Sequence, residues 1–321
     1  MKNDKKIIKS AQNTFQIEAD AILKLKDLLD QEFTVAVKTI LESKGRVIIT
    51  GIGKSAIIGN KIVATLNSTG TPSIFMHAAD AIHGDLGNIQ ENDVVVFISK
   101  SGNTPEVKVL IPLIRKSSNK IIAITGNSDS YIGQNADIVL NTFVEKEACP
   151  NNLAPTTSTT AQLVMGDALA IALLEQRDFS SKDFAKYHPG GVLGKQLYLR
   201  VKDLMVKNAK PNVSPNSSIK DVIYEISDKR LGMTVVSEDN KVVGIITDGD
   251  LRRMLEKNDE ISHLRAKDIM SKNPKIIGPD EMAVDAVKVM KKHDISSILV
   301  LDQGIYQGII HFQDLLKEGL I

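Results

Sequence analysis

Residues 94–98 form an apolar, mostly β-branched run that ends in Ser99, Lys100, Ser101, Gly102, Asn103 and Thr104, and Pro105 then opens a helical pattern. A buried strand that stops in hydroxyls and a glycine at a helix N-terminus can cradle a phosphate. Backbone N–H groups and the helix dipole attract the anion, and serine and threonine oxygens complete its hydrogen bonds. An ordinary helix start fits the same residues, with Thr104 as the cap and Pro105 at the first helical position. A second glycine-bearing turn, TGIGKSAIIGNK from Thr50, holds Lys54 and Ser55. It is not a Walker loop, because the position five residues before Gly53 is Ile48. Gly51, Gly53 and Ala56 nominally meet a dinucleotide fingerprint. That reading wants an acid at the tip of the next strand, where Met76 and His77 stand and Asp80 lies farther on. The better reading is that the glycines let the backbone approach a substrate while Lys54 and Ser55 point into the same cleft. A lysine at a helix start works against the dipole, which favours function over a merely solvated side chain.

These turns need a scaffold, and the pattern supplies one. Ala11, Phe15, Ala19, Ile22, Leu25 and Leu29 recur at helical spacing, so a long amphipathic helix precedes the first strand. Strand-like runs at 47–50, 73–75, 94–99, 121–125 and 138–140 alternate with helices starting near Lys54, Pro105 and Ser128 and a longer one over 156–176. Such alternation with fully apolar strands predicts a doubly wound, five-stranded parallel α/β sheet whose ligands sit beyond the carboxyl ends of the strands. Past about Arg200 a direct repeat appears. Asp203-Leu204-Met205 is answered by Asp268-Ile269-Met270, and VVSEDNKVVGIITDGDLRRML from Val235 by ILVLDQGIYQGIIHFQDLLKE from Ile298. Each repeat predicts a short extended piece, a helix, a hairpin (turning at Asp239-Asn240 and at Gln303-Gly304) and a final helix. Two such α+β units are expected to pack face to face, since neither alone buries enough surface. Neither holds a catalytic cluster, which makes them regulatory or oligomerising.

At 321 residues the chain suits two or three domains. Charged residues make up 25% with a net charge of +1, so neither nucleic acid nor a membrane surface has a basic footprint. Apolar runs such as 94–98 and 169–174 are short for a bilayer, and MKNDKKIIKS lacks the apolar core of a signal peptide. The single cysteine, Cys149, excludes an internal disulfide and fits a reducing cytoplasm. It is expected to be a buried, inert thiol.

The stretches GIGKS, SKSGNT, KEACPNNLAPTTSTT and YHPGGVLG together resemble the sugar isomerase (SIS) family of phosphosugar-binding domains. Followed by two CBS repeats, the whole arrangement is similar to the bacterial arabinose 5-phosphate isomerases over essentially the full length. The serine- and threonine-rich loop is shared across the superfamily, whereas EACPNNLAPTTSTT and HPGG are narrower signals. The resemblance implies a SIS domain over residues 1–200, a first CBS repeat over 203–262 and a second over 268–321. It implies interconversion of D-ribulose 5-phosphate and D-arabinose 5-phosphate through an enediol, feeding Kdo and lipopolysaccharide synthesis in Gram-negative bacteria. That chemistry needs a near-neutral base, a proton shuttle and a cation or donors for the enediolate, and no redox cofactor.

Carried over motif by motif, the resemblance places catalytic roles on Lys54, Glu106, Glu147 and His188. Glu147 is the expected carbon base, because Ala148, Cys149 and Pro150 make surroundings that could raise its pKa. An exposed loop glutamate paired with Lys146 is the plain alternative. Glu106 fits a second acid/base, an orienter of Lys54, or simply a favourable first-turn acid. His188, before the bend Pro189-Gly190-Gly191, is expected to reach a neighbouring subunit. Ser55, Gly70, Thr71, His83, Ser99, Ser101 and Thr104 are expected substrate contacts, with His83 placed for ring opening. His77 falls where the family can hold zinc, an optional and inhibitory occupant rather than a catalytic need. In the CBS pair, Thr247 and Asp250 stand where relatives bind a nucleotide ribose. Asp314 repeats the aspartate, but His311 replaces the threonine, which puts the second nucleotide site in doubt. A nucleotide or sugar-nucleotide effector and a homotetramer complete the expectation. Isomerisation of another sugar phosphate, and a non-catalytic phosphosugar sensor, are the rivals. The sensor has no use for the four catalytic groups together.

Overall fold

The computed structural model describes residues 2–205, 207–239 and 241–321. They divide into two compact units, Met1–Phe184 and Ala185–Ile321. The division falls fifteen or so residues before the boundary expected near 200.

The first unit begins with α1 (Lys2–Leu28) and α2 (Gln31–Glu42). The long helix expected from Ala11 to Leu29 is α1, and an additional helix, α2, follows it, with the Asp30 carboxylate accepting from the Glu32 N–H as its N-cap. Then follow β1 (Val47–Gly51), α3 (Lys54–Ser68), β2 (Ser73–His77), α4 (Ala78–Ala81) and a 3₁₀ turn at Asp85–Asn88. β3 (Val94–Ser99), α5 (Pro105–Lys116), β4 (Lys120–Thr125), α6 (Tyr131–Asn135), β5 (Ile138–Asn141) and α7 (Thr157–Gln176) complete the wound core. The sheet order is β2-β1-β3-β4-β5, all parallel. Period-two alternation splits the strands between two cores. Ile49, Val96, Ile98 and Ile122 pack under α2, α3 and α7, whereas Ile48, Val95, Phe97 and Ile121 pack under α4, α5 and α6. Burial on both faces is why the strands read as continuous apolar runs. At Gly166 on α7 a Cβ would lie 2.3 Å from Ile62 Cδ1, so the glycine lets α7 close on α3. By length and composition α7 is the one described helix that could cross a membrane, yet half of that window is buried in this core.

Chain order leaves β1 for β2 on one side and resumes at β3 on the other, so the winding reverses between β1 and β3. A crevice must open there, beyond Gly51 and Ser99.

The short helix α8 (Ser181–Tyr187) spans the division between the units. The second unit continues with α9 (Val192–Tyr198) and α10 (Val201–Met205). The first repeat is β6 (Asn212–Val213), α11 (Ile219–Lys229), β7 (Met233–Glu238), β8 (Lys241–Thr247) and α12 (Asp248–Lys257). The second is α13 (Ala266–Ile269), β9 (Ile276–Ile277), α14 (Ala283–His293), β10 (Ser297–Asp302), β11 (Ile305–His311) and α15 (Phe312–Lys317). Leu231, Met233 and Val235 share a cluster with Leu299 and Ile309, so the two repeats do pack face to face. Their leaders are exchanged. Val201 and Leu204 sit in the core of the second repeat, whose Glu281 carbonyl accepts from the Val201 N–H. Ala266 sits in the core of the first, and Ser271 exchanges backbone hydrogen bonds with Ile245. Gln303 and Gly304 have positive φ, as a tight hairpin turn requires. Asp239 likewise has positive φ, and Asn240, expected beside it, lies outside the described residues.

Candidate active site

The crevice is a cleft of about 310 Å³ lined by three turns. Lys54 and Ser55 come from the β1–α3 turn, Ser99, Lys100, Ser101 and Thr104 from the β3–α5 turn, and Pro155, Ser158 and Thr159 from the start of α7. Gly51 is needed because β3 runs close by, a Cβ there lying 3.0 Å from the Ile98 carbonyl. Gly102 has φ +66°, and a Cβ on it would fall 1.9 Å from Ser130 Oγ, so only glycine fits this bend.

Inside the bend the Ser99 hydroxyl accepts from the Gly102 N–H at 3.1 Å, and the Ser101 hydroxyl accepts from the Asn103 N–H at 3.4 Å. Each thereby keeps its O–H for a ligand. Thr104 does occupy the N-cap position of α5 with Pro105 after it, but its side chain makes no capping bond. Its Oγ1 is buried without a hydrogen-bond partner. A capping hydroxyl would be satisfied, so the geometry favours the anion cup over the plain helix start. Ser55 differs from expectation. Its O–H is donated to Oε1 of the buried Gln162 at 3.1 Å, which leaves only lone pairs facing outward.

Glu147 lies on the loop between β5 and α7 and is buried, 3% exposed. Its Oε1 is 2.6 Å from Lys100 Nζ and accepts from the Ser158 hydroxyl at 2.5 Å. Its Oε2 accepts from the Thr156 N–H, the Thr156 hydroxyl and the Ser158 N–H at 2.8, 3.2 and 3.1 Å. Burial alone pushes the carboxyl up. The Lys100 ammonium, the Ser158 hydroxyl and the two N–H groups at the start of α7 more than reverse this and hold it at about 2. The raised pKa expected from the proline-rich surroundings is therefore corrected to a depressed one, and the partner is Lys100 rather than Lys146. Sequence reasoning does not single out Lys100. A cation set among phosphate-cup hydroxyls is the available signal.

Cys149 is half-buried rather than buried, and its thiol is pulled down by the backbone N–H groups of Ala154 and Leu153. Glu106 stands half-buried in the first turn of α5. His83 is exposed in the turn after α4, outside the residues that line the cleft. Gly70 and Thr71 are also outside it. They precede β2, at the amino end of the sheet, and Arg177 donates to the Gly70 carbonyl at 2.8 Å and to the Thr71 hydroxyl. Within the single chain they stand apart from the lining of this cleft. His77 ends β2 with Nδ1 buried and unbonded, 3.7 Å from Asp80 Oδ2. One imidazole and one carboxylate are two donors, and no group of three or more candidate ligands converges among the described residues. A resident zinc does not fit that donor set, since zinc sites take three or four protein ligands. His188 belongs by its contacts to the second unit, where its carbonyl accepts from the Gly191 N–H.

In the second unit a cavity of about 410 Å³ is lined by Thr247, Asp248, Arg252, Ser271, Asn273 and Asp294 among others. Thr247 and Asp250 form a capping box at the start of α12. Asp250 Oδ1 also accepts from Arg253 at 2.6 Å and from the Ser271 hydroxyl at 3.3 Å. In the second repeat, His311 takes over the cap by accepting from the Gln313 N–H through Nδ1, and burial lowers its pKa. Asp314 accepts from the Asn208 amide at 2.7 Å. The threonine-to-histidine change thus keeps the helix start while a leader side chain covers the aspartate.

The SIS domain family matches residues 40–172, and the CBS domain family matches residues 201–257 and 266–320. The chain is 49% identical over 318 residues to an arabinose 5-phosphate isomerase KdsD of Francisella tularensis, covering 98% of this chain and 97% of the relative. It is 44% identical over 307 residues to the enzyme of the same name from Escherichia coli K12, covering 95% and 94%. Among solved structures, a protein of E. coli CFT073 in complex with arabinose 5-phosphate superposes with a TM-score of 0.56 at 38% identity, over 58% of this chain and 98% of that one. A crystal structure from Listeria monocytogenes gives 0.56 at 34% identity, over 57% and 96%.

Proposed function

Because this chain belongs to the arabinose 5-phosphate isomerase family, we propose that it interconverts D-ribulose 5-phosphate and D-arabinose 5-phosphate, in the branch that leads to Kdo. The observation that carries the reading is the cleft itself. One crevice at the switch point of the sheet joins hydroxyls with free O–H donors and two lysines, one of which, Lys100, pairs with the buried Glu147 just behind the lining. The phosphate docks on Ser99, Ser101 and Thr104, against the N-terminus of α5. Lys54 balances the enediolate charge. A carboxylate takes the proton from the carbon next to the carbonyl and returns it to the neighbouring carbon. Glu147 is assigned that step, with Glu106 as the second acid/base and His188 as a further family-motif candidate. The chemistry calls for no metal or redox cofactor.

The CBS pair is proposed to bind a nucleotide or sugar nucleotide in the cavity lined by Thr247, and calorimetry with a panel of adenine and sugar nucleotides tests this. Self-association to a tetramer belongs to the same reading. It is supported by the apolar stripe of α1, where Ile7, Ile8 and Phe15 stay exposed in the single chain, and is tested by sedimentation. The activity is tested by incubating the purified chain with ribulose 5-phosphate in deuterium oxide. Arabinose 5-phosphate carrying solvent deuterium at C2 is expected, and absence of turnover with every pentose phosphate overturns the enzyme.

A further inference from the structure

A carboxylate held at about 2 is a poor base near neutrality, and the arrangement of its partners offers a way out. The two oxygens of Glu147 are held differently. Oε2 receives three donors from Thr156 and Ser158, all at the rigid start of α7. Oε1 receives Ser158 Oγ and the Lys100 ammonium. The pair is lopsided in burial. The Glu147 side chain is wholly enclosed, whereas that of Lys100 is 44% exposed. Only the lysine can move, and it has a flexible four-carbon stem to do so. Lys100 also lies between Ser99 and Ser101, so it lines the cup in which a phosphate would sit. A phosphate carries up to two negative charges against one on the carboxylate, and it would arrive beside an ammonium that is already half in solvent.

We propose that Lys100 changes partners when a phosphosugar binds, its ammonium leaving Glu147 Oε1 for the phosphate, so that docking of the anion releases the base. This rests on the reading of the cleft as a phosphosugar site. Oε2 stays anchored throughout and keeps the carboxylate aimed, while Oε1 loses its counter-charge and becomes the proton acceptor. The C–H proton then passes to Oε1 and the C–H electron pair flows into the enediolate. Proton return to the adjacent carbon restores the carboxylate. Lys54, from the α3 side, is the other cation lining the cleft, and α7 presents only N–H and hydroxyl donors. The exchange gates chemistry on the phosphate, since an unphosphorylated pentose leaves Lys100 on Glu147.

Infrared difference spectroscopy on the full chain tests this, with inorganic phosphate as the probe and Glu147→Gln identifying the Glu147 carboxylate band. In the wild type, phosphate is expected to shift that band. In Lys100→Met the band should already stand near its phosphate-bound position and stay there on addition, and Lys100→Arg should restore the shift at least in part. Calorimetry runs alongside. Phosphate that fails to bind the wild type overturns the phosphosugar reading and this proposal with it. Phosphate that binds while the Glu147 band stays still, or a band that shifts equally in Lys100→Met, overturns the exchange alone.

Discussion

Replacing Glu147 by glutamine should destabilise the first unit by an amount that depends on pH in a defined way. The carboxyl lies at about 2 in the folded chain against an ordinary value of 4.5. At 1.36 kcal/mol per pKa unit, the difference corresponds to about 3 kcal/mol favouring the fold at neutral pH. Because the folded pKa is the depressed one, this stability is fully present above 4.5 and disappears as the pH falls through 2. At about pH 3 the group is still ionised when folded and mostly protonated when unfolded, so about 1.4 kcal/mol should remain. Glutamine can still accept from Ser158 through its oxygen, but its amide faces Lys100 and cannot accept there, so most of the effect should be realised. The assay is urea unfolding followed by far-ultraviolet circular dichroism, wild type against variant, at pH 7 and about pH 3. Melting of the second unit serves as the internal control. A loss of the same size at both pH values, or none at pH 7, would refute the picture of an ionised carboxylate held by Lys100 and the start of α7.

Gly102→Ala combines a left-handed backbone with a Cβ 1.9 Å from Ser130 Oγ. It should cost about 2–4 kcal/mol at the cup and raise KM for the sugar phosphate at least about tenfold. Steady-state kinetics beside a circular dichroism spectrum check this. Gly166→Ala drives a methyl into Ile62 and should lower stability by about 1–3 kcal/mol while KM stays fixed, measured by urea unfolding and kinetics together. Asp93 is buried and bonded by Arg46 and the Gln90 N–H. Burial pushes its carboxyl up, but those donors pull it below the ordinary range. Asp93→Ala should therefore cost about 3 kcal/mol at neutral pH and progressively less as the pH falls below 4, by the same unfolding assay.

Strands and turns are legible because parallel strands buried on both faces must be apolar throughout, and the hydroxyls of Ser99 and Ser101 break the run at the cleft. The repeats are legible by self-similarity, down to the leader Asp-x-Met. Less can be read where a side chain's fate depends on a partner distant in sequence. Ala148, Cys149 and Pro150 say that Glu147 leaves water. They do not say that Lys100, from the β3–α5 turn, and Ser158, from the next helix, meet it there and reverse the effect of burial. Ser55 looks like a phosphate hydroxyl until Gln162, on α7, is seen to take its proton. The position of Gly70 and Thr71 is harder to read, because a turn does not reveal which edge of the sheet it serves. The strand that follows does, since a residue before β2 belongs to the amino edge. The additional helix α2 escapes a periodicity argument that stops at Leu29, although Asp30 and Glu32 carry a capping signal.

The exchanged leaders of the second unit set a timetable for its synthesis. Val201 and Leu204 find their places only among residues of the second repeat, including Ile310 on β11. About 100 residues must therefore be made between the leader and its seat, roughly 5–20 s at ribosomal rates. The first repeat completes its own strands at Thr247 and gains its borrowed Ala266 within that interval, but its leader has no home until the second repeat is made. The pair therefore closes only after the second repeat has been made. A gene shortened by even one of the two repeats would leave the other with a leader and no place to put it.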